Sequence, residues 1–121
     1  MGGILKIASL INPLQKEIVL LPYPFSDLEN RKVRPAIIIS NNPFNKKSHD
    51  CIAIPMTSVI KEIPFSVLVS QQDLSAGKLL KISRVRVDKI FSVEKRLILK
   101  KVGILNNQAF EKIKLVLDKI F

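Results

Sequence analysis

Residues that commonly carry acid–base or metal chemistry are scarce in this 121-residue sequence, which has one cysteine, Cys51, and one histidine, His49. A single cysteine excludes an internal disulfide bond and a cysteine-based metal cluster, and its apolar neighbours indicate a buried, inert thiol. A single histidine excludes a two-histidine acid–base pair, and the lysines near His49 indicate a surface position. The carboxylates are scattered, without the close spacing typical of a metal site, so we expect no metal ion and no cofactor.

Glycine is also scarce, with four residues, of which Gly77 and Gly103 are isolated. A glycine-rich loop that could cradle a phosphate through its backbone N–H groups is therefore absent. An apolar patch at residues 7–11 is too short for the hydrophobic region of a signal peptide and for a membrane span. We therefore expect a cytoplasmic protein that does not contact a membrane.

Basic residues, in contrast, are abundant: 20 Lys and Arg against 10 Asp and Glu give a formal net charge of +10. A folded basic domain of this size most often binds a polyanion, and nucleic acid is a more common partner than a membrane. The alternative is a surface that is basic without a specific partner. Hydrophobic residues make up 47% of the chain, which is enough for the core of a single domain.

Short runs rich in valine and isoleucine, separated by turn-forming residues, predict a series of β-strands. These strands are predicted at residues 17–21, 34–40, 51–58, 65–69, 80–87 and 90–93. A helix is predicted over residues 108–121, where apolar residues recur at helical spacing after the capping residues Asn106-Asn107. The sequence therefore predicts a mainly β (α+β) fold, with a small, strongly bent β-barrel-like sheet and a C-terminal α-helix. We interpret residues 1–15 as an N-terminal arm and residues 16–121 as one domain.

The prolines and the polar stretches predict where these strands end. Pro22 and Pro24 lack a backbone N–H, so we expect ordinary ladder pairing to stop before them. Pro35 is expected at the first position of its strand, where no donor is needed. Residues 41–50 are predicted as a loop, and residues 71–77 as a turn or a single helical turn.

Arg34 stands directly before Pro35 and an apolar strand, and Thr57-Ser58 stand at the end of the next strand. If the two strands pair antiparallel, the beginning of one lies beside the end of the other, so Arg34 and Thr57 should approach each other. A guanidinium and a hydroxyl at one end of a sheet are a suitable pair of donors for a phosphate. The alternative is that Arg34 is an ordinary surface charge and Thr57 an ordinary residue at a strand end.

Three blocks of the sequence, in their order and spacing, resemble the MazF/PemK family of toxins. The blocks are EIVLLPYPFSDL at residues 17–28, KVRPAIIIS at residues 32–40 and IPMTS at residues 54–58. The resemblance covers about residues 15–121. It implies a compact SH3-like β-barrel with a C-terminal helix, a homodimer, and inhibition by a cognate antitoxin protein. It also implies sequence-specific cleavage of single-stranded RNA, such as mRNA, without a metal ion.

The resemblance places the catalytic residues at Arg34 and Thr57. The further residues expected to bind RNA are Ser26, Asp27, Arg31, Lys32, Ser58, Arg84 and Arg86. In this chemistry the 2′-OH of the substrate attacks the phosphate, and a 2′,3′-cyclic phosphate and a 5′-OH result. Because a guanidinium stays protonated at neutral pH, we expect Arg34 to act chiefly as a clamp for the phosphate. The sequence does not identify the general base, for which Asp27 and Glu29 are candidates.

The sequence departs from the family pattern at three places, one of which is the loop after the first strand, where the glycine that is usual in the family is absent. Lys16-Glu17 replaces the usual Gly-Asp at the start of the first strand, and Phe91 replaces an arginine that is often found in the family. These departures favour two alternatives: a toxin that binds DNA gyrase without nuclease chemistry, or an inactive domain that binds nucleic acid on the same fold. The presence of both expected catalytic residues favours the nuclease.

Overall fold

The computed structural model describes residues 12–23 and 32–121, and within these ranges the chain forms eight β-strands and two α-helices. The strands are β1 (Glu17–Tyr23), β2 (Lys32–Ile38), β3 (Asp50–Thr57), β4 (Ser66–Val69), β5 (Leu74–Gly77), β6 (Ser83–Arg86), β7 (Phe91–Glu94) and β8 (Lys100–Leu105). The helices are α1 (Asn42–Lys47) and α2 (Asn107–Ile120), and short 3-10 helices occupy Gln71–Asp73, Val87–Lys89 and Lys95–Leu97. The predicted mainly β fold with a C-terminal helix is confirmed.

The strands form one antiparallel sheet in the order β4-β6-β3-β2-β1-β8-β5, and β7 pairs with β3 beside this path. Strand β3 changes partners along its length. One edge pairs with β2 through residues 53–55, whereas the other edge pairs first with β7, through residues 50–53, and then with β6, through Met56 and Thr57. Because one strand is shared in this way, the sheet curls, and the beginning of β2 and the end of β3 meet at its rim.

The central strands β1, β2 and β3 are buried on both faces, which explains their nearly continuous apolar sequences. On one face, Ile18, Ile37 and Ile54 pack with Phe110 and Ile113 of α2. The cluster on the other face contains Val19, Leu21, Ala36, Ile38, Cys51, Ala53, Val93 and Ile98. The middle of each strand is therefore fixed by packing on both sides, and polar side chains can meet solvent only at the strand ends.

The predicted positions of Pro22 and Pro35 are wrong, whereas Pro24 lies outside the described residues. Strand β1 continues through Pro22, which lies opposite Val33, and Pro35 lies inside β2 rather than at its first position. Beyond Leu20, strand β1 no longer pairs with β8, and before Ala36, strand β2 does not pair with β3. At each proline the strand is therefore paired along one edge only. The proline nitrogen, which has no hydrogen, can lie on the unpaired edge, so no hydrogen bond of the ladder is lost.

Two elements lie where the sequence predicts a loop or a turn. Helix α1 falls within the predicted loop 41–50; it begins after Asn41, whose side chain accepts a backbone N–H of the first turn, and Pro43 occupies that turn. The helical turn that the sequence predicts after Ser70 is confirmed as the 3-10 helix Gln71–Asp73, in which Ser70 and Asp73 form a capping box, but strand β5 follows it. Both elements are too short for a hydrophobic period to show in the sequence, and the pairing with β8 is what defines β5.

Lys16 and Glu17, which replace the Gly-Asp of the family pattern, anchor the start of β1. Lys16 has a φ of 80°, a left-handed conformation that glycine adopts without strain. Its ammonium lies 5.7 Å from the centre of the Phe110 ring, so it links β1 to α2. The carboxylate of Glu17 is buried, accepts the N–H of Leu14 at 2.6 Å and pairs with Lys101 at 3.1 Å. The side chains of Lys16 and Glu17 therefore attach the start of β1 to α2, to the segment before β1 and to β8.

Cys51 is fully buried in β3, and this burial raises the pKa of its thiol to about 11. The native protein should therefore react with the thiol reagent DTNB at about pH 8 on the order of 100-fold more slowly than the unfolded protein, because its thiolate is both rare and inaccessible. Release of the coloured product, followed with and without denaturant, measures this difference. A fast reaction of the native protein would show that the thiol is reachable and contradict its burial.

Candidate active site

The beginning of β2 and the end of β3 form a groove that contains Arg34 and Thr57, the two residues of the expected phosphate clamp. The β2–β3 pairing ends at Ala36 and Pro55, and Arg34 and Thr57 each lie two residues beyond this last pair on their strands. The groove has a volume of about 470 Å³ and is lined by Leu21, Arg34, Pro35, Ala36, Pro55, Met56, Thr57, Arg86, Lys89 and Phe91. Arg34 is exposed and Thr57 is half-buried, so both polar groups can reach a ligand in the groove.

Packing of the sheet determines the direction of the Arg34 side chain. Alternate residues of a strand share a face, so Arg34 lies on the same face of β2 as the buried Ala36. Its partner on β1 is Leu21, which is also buried and lines the groove. The guanidinium thus stands at the border between an apolar wall and solvent. A low local dielectric at such a border strengthens the attraction between a cation and a bound anion.

The hydroxyl of Thr57 already has one hydrogen-bond partner. It accepts the backbone N–H of Val59 at 3.2 Å. A hydroxyl has one hydrogen and two lone pairs, so accepting this bond leaves its hydrogen for a bond to a ligand. The hydroxyl can therefore donate to an anionic oxygen in the groove.

Arg86 brings a second guanidinium to the groove. It donates to both carboxylate oxygens of Asp88, with Nε–Oδ1 at 3.0 Å and Nη2–Oδ2 at 2.9 Å. The hydrogen bond from Arg86 lowers the pKa of Asp88, and the same contact raises the pKa of Arg86. The pair therefore stays ionised at neutral pH, with the guanidinium in one orientation. Sequence reasoning missed Asp88, although its spacing of two residues from Arg86 at a strand end was a usable signal.

Arg84 shares a face of β6 with Arg86, and the alternate burial of this strand agrees with the predicted alternation. Its guanidinium, however, has partners within the protein. Nη1 donates to the hydroxyl of Ser66 at 3.2 Å, and Nη2 donates to the carbonyl of Ile60 at 2.9 Å. Its Nε is buried and has no hydrogen-bond partner. Arg84 does not line the groove, and its contact with RNA stays a prediction.

A second groove, with a volume of about 410 Å³, lies next to the first. Its lining includes Ser58, Lys78 and Lys81. The structure thus places Ser58 and Thr57 in different grooves, whereas Arg34 lines both. These two lysines were not identified from the sequence. The pattern that could have indicated them is Lys78-Leu79-Leu80-Lys81, in which a basic residue flanks each side of two leucines. The cation of Arg34 stands where the two grooves meet, so an extended anionic chain could occupy both.

The other residues expected at the site have different outcomes. Ser26, Asp27, Glu29 and Arg31 lie outside the described residues. Lys32 is exposed at the beginning of β2, and His49 is exposed as expected. Phe91, which replaces a family arginine, is half-buried and lines the first groove. The structure therefore places an apolar ring, rather than a cation, at this position of the groove.

Two further features bear on the kind of site. Among residues 12–23 and 32–121, no group of three or more His, Cys, Asp or Glu side chains could hold a metal ion. In the same part of the chain, no helix is long and apolar enough to span a membrane.

Comparison with known proteins agrees with the resemblance seen in the sequence. A family described as "PemK-like, MazF-like toxin of type II toxin-antitoxin system" matches residues 14–121, which include both grooves and both core clusters. Comparison with curated protein sequences gave no match.

Solved structures share the fold. An endoribonuclease from a Mycobacterial species, in complex with its cognate antitoxin, has a TM-score of 0.71 at 23% identity, over 88% of this chain and 92% of that chain. MazE-MazF from Deinococcus radiodurans has a TM-score of 0.73 at 19% identity, over 90% and 95%. The Mycobacterium tuberculosis toxin MazF-mt6 has a TM-score of 0.69 at 16% identity, over 85% and 93%. At these identities the similarity establishes the fold.

Proposed function

Because the chain belongs to the family of PemK-like, MazF-like toxins of type II toxin–antitoxin systems, we propose that it is an endoribonuclease that cleaves single-stranded RNA. We propose further that it cleaves mRNA at specific sequences and needs no metal ion. The groove at the ends of β2 and β3 carries this proposal, because it holds the guanidinium groups of Arg34 and Arg86 and the hydroxyl of Thr57. All three are donors for a phosphodiester, and the net charge of +10 favours a polyanion.

The proposed reaction is an internal displacement at phosphorus. The 2′-oxygen of one nucleotide forms a bond to the adjacent phosphorus, and the bond from that phosphorus to the 5′-oxygen of the next nucleotide breaks. The 2′-OH loses a proton and the leaving 5′-oxygen gains one, so the products carry a 2′,3′-cyclic phosphate and a 5′-OH. Negative charge increases on the nonbridging oxygens, so donors fixed near them lower the barrier.

We propose a role for each donor in this reaction. Arg34 clamps the phosphate, because its planar guanidinium can donate two parallel hydrogen bonds. Thr57 donates its hydroxyl hydrogen while its oxygen accepts the N–H of Val59. Arg86, oriented by Asp88, supplies a second positive charge whose direction is set before the substrate binds. Asp88 is ionised and doubly hydrogen-bonded, so it acts chiefly by orienting Arg86.

The proposed partners besides RNA are a cognate antitoxin and a second copy of the chain. Two of the solved relatives are an endoribonuclease with its cognate antitoxin and a MazE-MazF structure. The basic residues of the two grooves favour an acidic antitoxin segment. A homodimer is supported by large apolar side chains that are about half or more exposed, among them Val33, Val59, Ile60, Phe65, Leu68, Leu80 and Ile82. Light scattering during size-exclusion chromatography tests the dimer, and a monomer at micromolar concentration would contradict it.

Incubation of the purified protein with a long RNA of mixed sequence, in excess EDTA, tests the nuclease. Discrete fragments whose 5′-OH ends are labelled by polynucleotide kinase without prior phosphatase treatment would support the proposal. The Arg34→Lys variant, purified in parallel, controls for contaminating ribonucleases. Intact RNA would refute the nuclease, and inhibition of DNA gyrase by the same preparation would then favour the gyrase-binding alternative. Cleavage that appears only after a divalent metal is added would contradict the metal-independent mechanism.

Replacement of Thr57 by valine should lower the cleavage rate on the order of 10-fold or more, because it removes a donor from the transition state. Valine keeps the β-branched shape, and the N–H of Val59 lies in an exposed loop where water can replace the lost acceptor. The melting temperature should therefore stay within about 2 °C of the wild type. Initial cleavage rates and thermal melting measure the two quantities. A large fall in melting temperature with an unchanged rate would show that the hydroxyl is structural.

A further inference from the structure

The segment between β3 and β4, residues 58–65, lacks regular secondary structure and begins directly after Thr57. We refer to it as the 58–65 loop. Its last residue, Phe65, has a φ of 55°, and the carbonyl of Phe65 accepts the N–H of Val87 at 3.2 Å. A loop without ladder bonds of its own depends on such individual contacts for its conformation. The end of the loop is therefore attached to the segment that follows Arg86.

Arg84 holds this loop at two other points. In the β3–β6 pair it lies opposite Thr57, so its backbone is adjacent to the beginning of the loop. Its Nη2 donates to the carbonyl of Ile60 at 2.9 Å, and its Nη1 donates to the hydroxyl of Ser66 at 3.2 Å. The Ser66 hydroxyl in turn donates to the carbonyl of Ile63. One guanidinium thus connects the first part of the loop with the first residue of β4.

The hydrogen bond that orients the Thr57 hydroxyl comes from the same stretch of backbone. The N–H of Val59 donates to Thr57 Oγ1 at 3.2 Å, and Arg84 holds the carbonyl of Ile60, the next residue along the chain. By holding the Ile60 carbonyl, Arg84 limits the movement of the backbone that carries the Val59 N–H. That N–H decides where the remaining hydrogen of the Thr57 hydroxyl can point.

We propose that Arg84 is a positioning residue, which fixes the 58–65 loop so that the Thr57 hydroxyl is aimed at the scissile phosphate. The proposal rests on the proposed nuclease function. It differs from the role expected for Arg84 from sequence, which was a direct contact with RNA. In the positioning role Arg84 contacts no substrate and acts through Ile60, Val59 and Thr57.

The contacts of the guanidinium favour positioning over phosphate binding. Both terminal nitrogens of Arg84 donate to acceptors within the protein, one in the 58–65 loop and one at the first residue of β4, and its Nε is buried without a hydrogen-bond partner. A buried charged donor without a partner costs free energy. The side chain adopts this geometry despite the cost, which indicates that the contacts with Ile60 and Ser66 outweigh it. Arg86, on the same face of β6, lines the groove instead. Two arginines on one strand therefore have different tasks.

A double-mutant cycle tests the proposal with an RNA oligonucleotide that contains a site cleaved by the wild type. Arg84→Gln should lower kcat on the order of 10-fold, because it loosens the loop, and should leave KM within about twofold. Arg84→Gln combined with Thr57→Val should cleave no more slowly than Thr57→Val alone, because the hydroxyl that Arg84 positions is already absent. Arg84→Lys, which keeps one charged donor, should lie between the wild type and Arg84→Gln. Arg96→Gln is the matched control, since Arg96 is exposed and lines neither groove, and it should match the wild type.

Two results of these measurements would overturn the positioning role. If the fold-decreases in kcat of Arg84→Gln and Thr57→Val multiply in the double variant, Arg84 does not act through the Thr57 hydroxyl. If Arg84→Gln raises KM and lowers the salt dependence of binding to a 2′-deoxy-substituted, non-cleavable oligonucleotide by roughly 0.7 in log–log slope, Arg84 contacts a phosphate.

Amide hydrogen exchange separates failure of this proposal from failure of the nuclease proposal. The amides of the 58–65 loop should exchange on the order of 10-fold faster in Arg84→Gln than in the wild type or in Arg96→Gln. If the wild-type protein does not cleave RNA, the proposed function is wrong, and the exchange of this loop still shows whether Arg84 holds it. Unchanged exchange in Arg84→Gln would overturn the proposal regardless of activity.

Discussion

Replacing Arg34 with lysine should lower RNA cleavage about 100-fold or more while the protein remains folded. Lysine keeps a positive charge at the beginning of β2, but its ammonium cannot donate the two parallel hydrogen bonds of a planar guanidinium to a phosphate. Arg34 is exposed, and substitutions at exposed positions usually change stability by no more than about 0.5 kcal/mol. Single-turnover cleavage of an oligonucleotide with a wild-type cleavage site measures the effect.

The matched control for this substitution is Arg96→Lys. Arg96 is exposed, pairs with Glu94 and lines neither groove, so the control should cleave at the wild-type rate. Binding of a non-cleavable RNA by Arg34→Lys should change far less than cleavage, because the second hydrogen bond matters most when charge builds on the phosphate. Cleavage by Arg34→Lys at the wild-type rate would mean that a positive charge alone is sufficient, and it would contradict the role of the Arg34 guanidinium as a phosphate clamp.

Replacing Gly77 with alanine should destabilise the fold by about 3 kcal/mol or more. Gly77 has a φ of 86°, and a Cβ there would lie 2.3 Å from the carbonyl oxygen of Val102 and 2.4 Å from Cα of Gly103. Both are backbone atoms of β8, so the clash can be relieved only by separating β5 from β8. Denaturation with urea, followed by circular dichroism, gives the loss in free energy of unfolding.

Gly103→Ala provides the contrast, because its φ is not in the left-handed region and the nearest atom to its Cβ belongs to a flexible side chain. That atom is Cδ2 of Leu74 at 2.9 Å, followed by the carbonyl oxygen of Ala76 at 3.1 Å. Gly103→Ala should therefore destabilise less than Gly77→Ala. An equal or larger loss for Gly103→Ala would show that the close approach of β5 and β8 at Gly77 is not the limiting contact.

Local sequence patterns are sufficient for much of the fold. The β-branched runs predict β1, β3, β4 and β7 close to their observed bounds, because β-branched and aromatic residues favour strands and turn-forming residues separate the runs. Helical spacing after Asn106 predicts α2, whose cap accepts the N–H of Ala109 at 2.8 Å. The order of three short blocks indicates the family, which the match over residues 14–121 confirms. These features depend on neighbours in the chain, so they can be recognised without the structure.

The juxtaposition of Arg34 and Thr57 is an intermediate case. Two consecutive strands with a short connection usually pair antiparallel, so the sequence predicts that their open ends meet. The observed register of β2 and β3 places them at one groove. Their catalytic roles stay predictions, because geometry alone does not measure a rate.

By itself, the sequence determined the mainly β fold, the C-terminal helix, the family and the neighbourhood of Arg34 and Thr57. Only the tertiary structure decided that Pro22 and Pro35 lie within strands, because a proline is tolerated where a strand has one open side. It also decided that Arg86 and Arg84, two residues apart, have different partners: Asp88 at the groove for one and the 58–65 loop for the other. The physical reason is that side-chain hydrogen bonds between distant residues depend on how the sheet curls, and no local period in the sequence encodes that curvature.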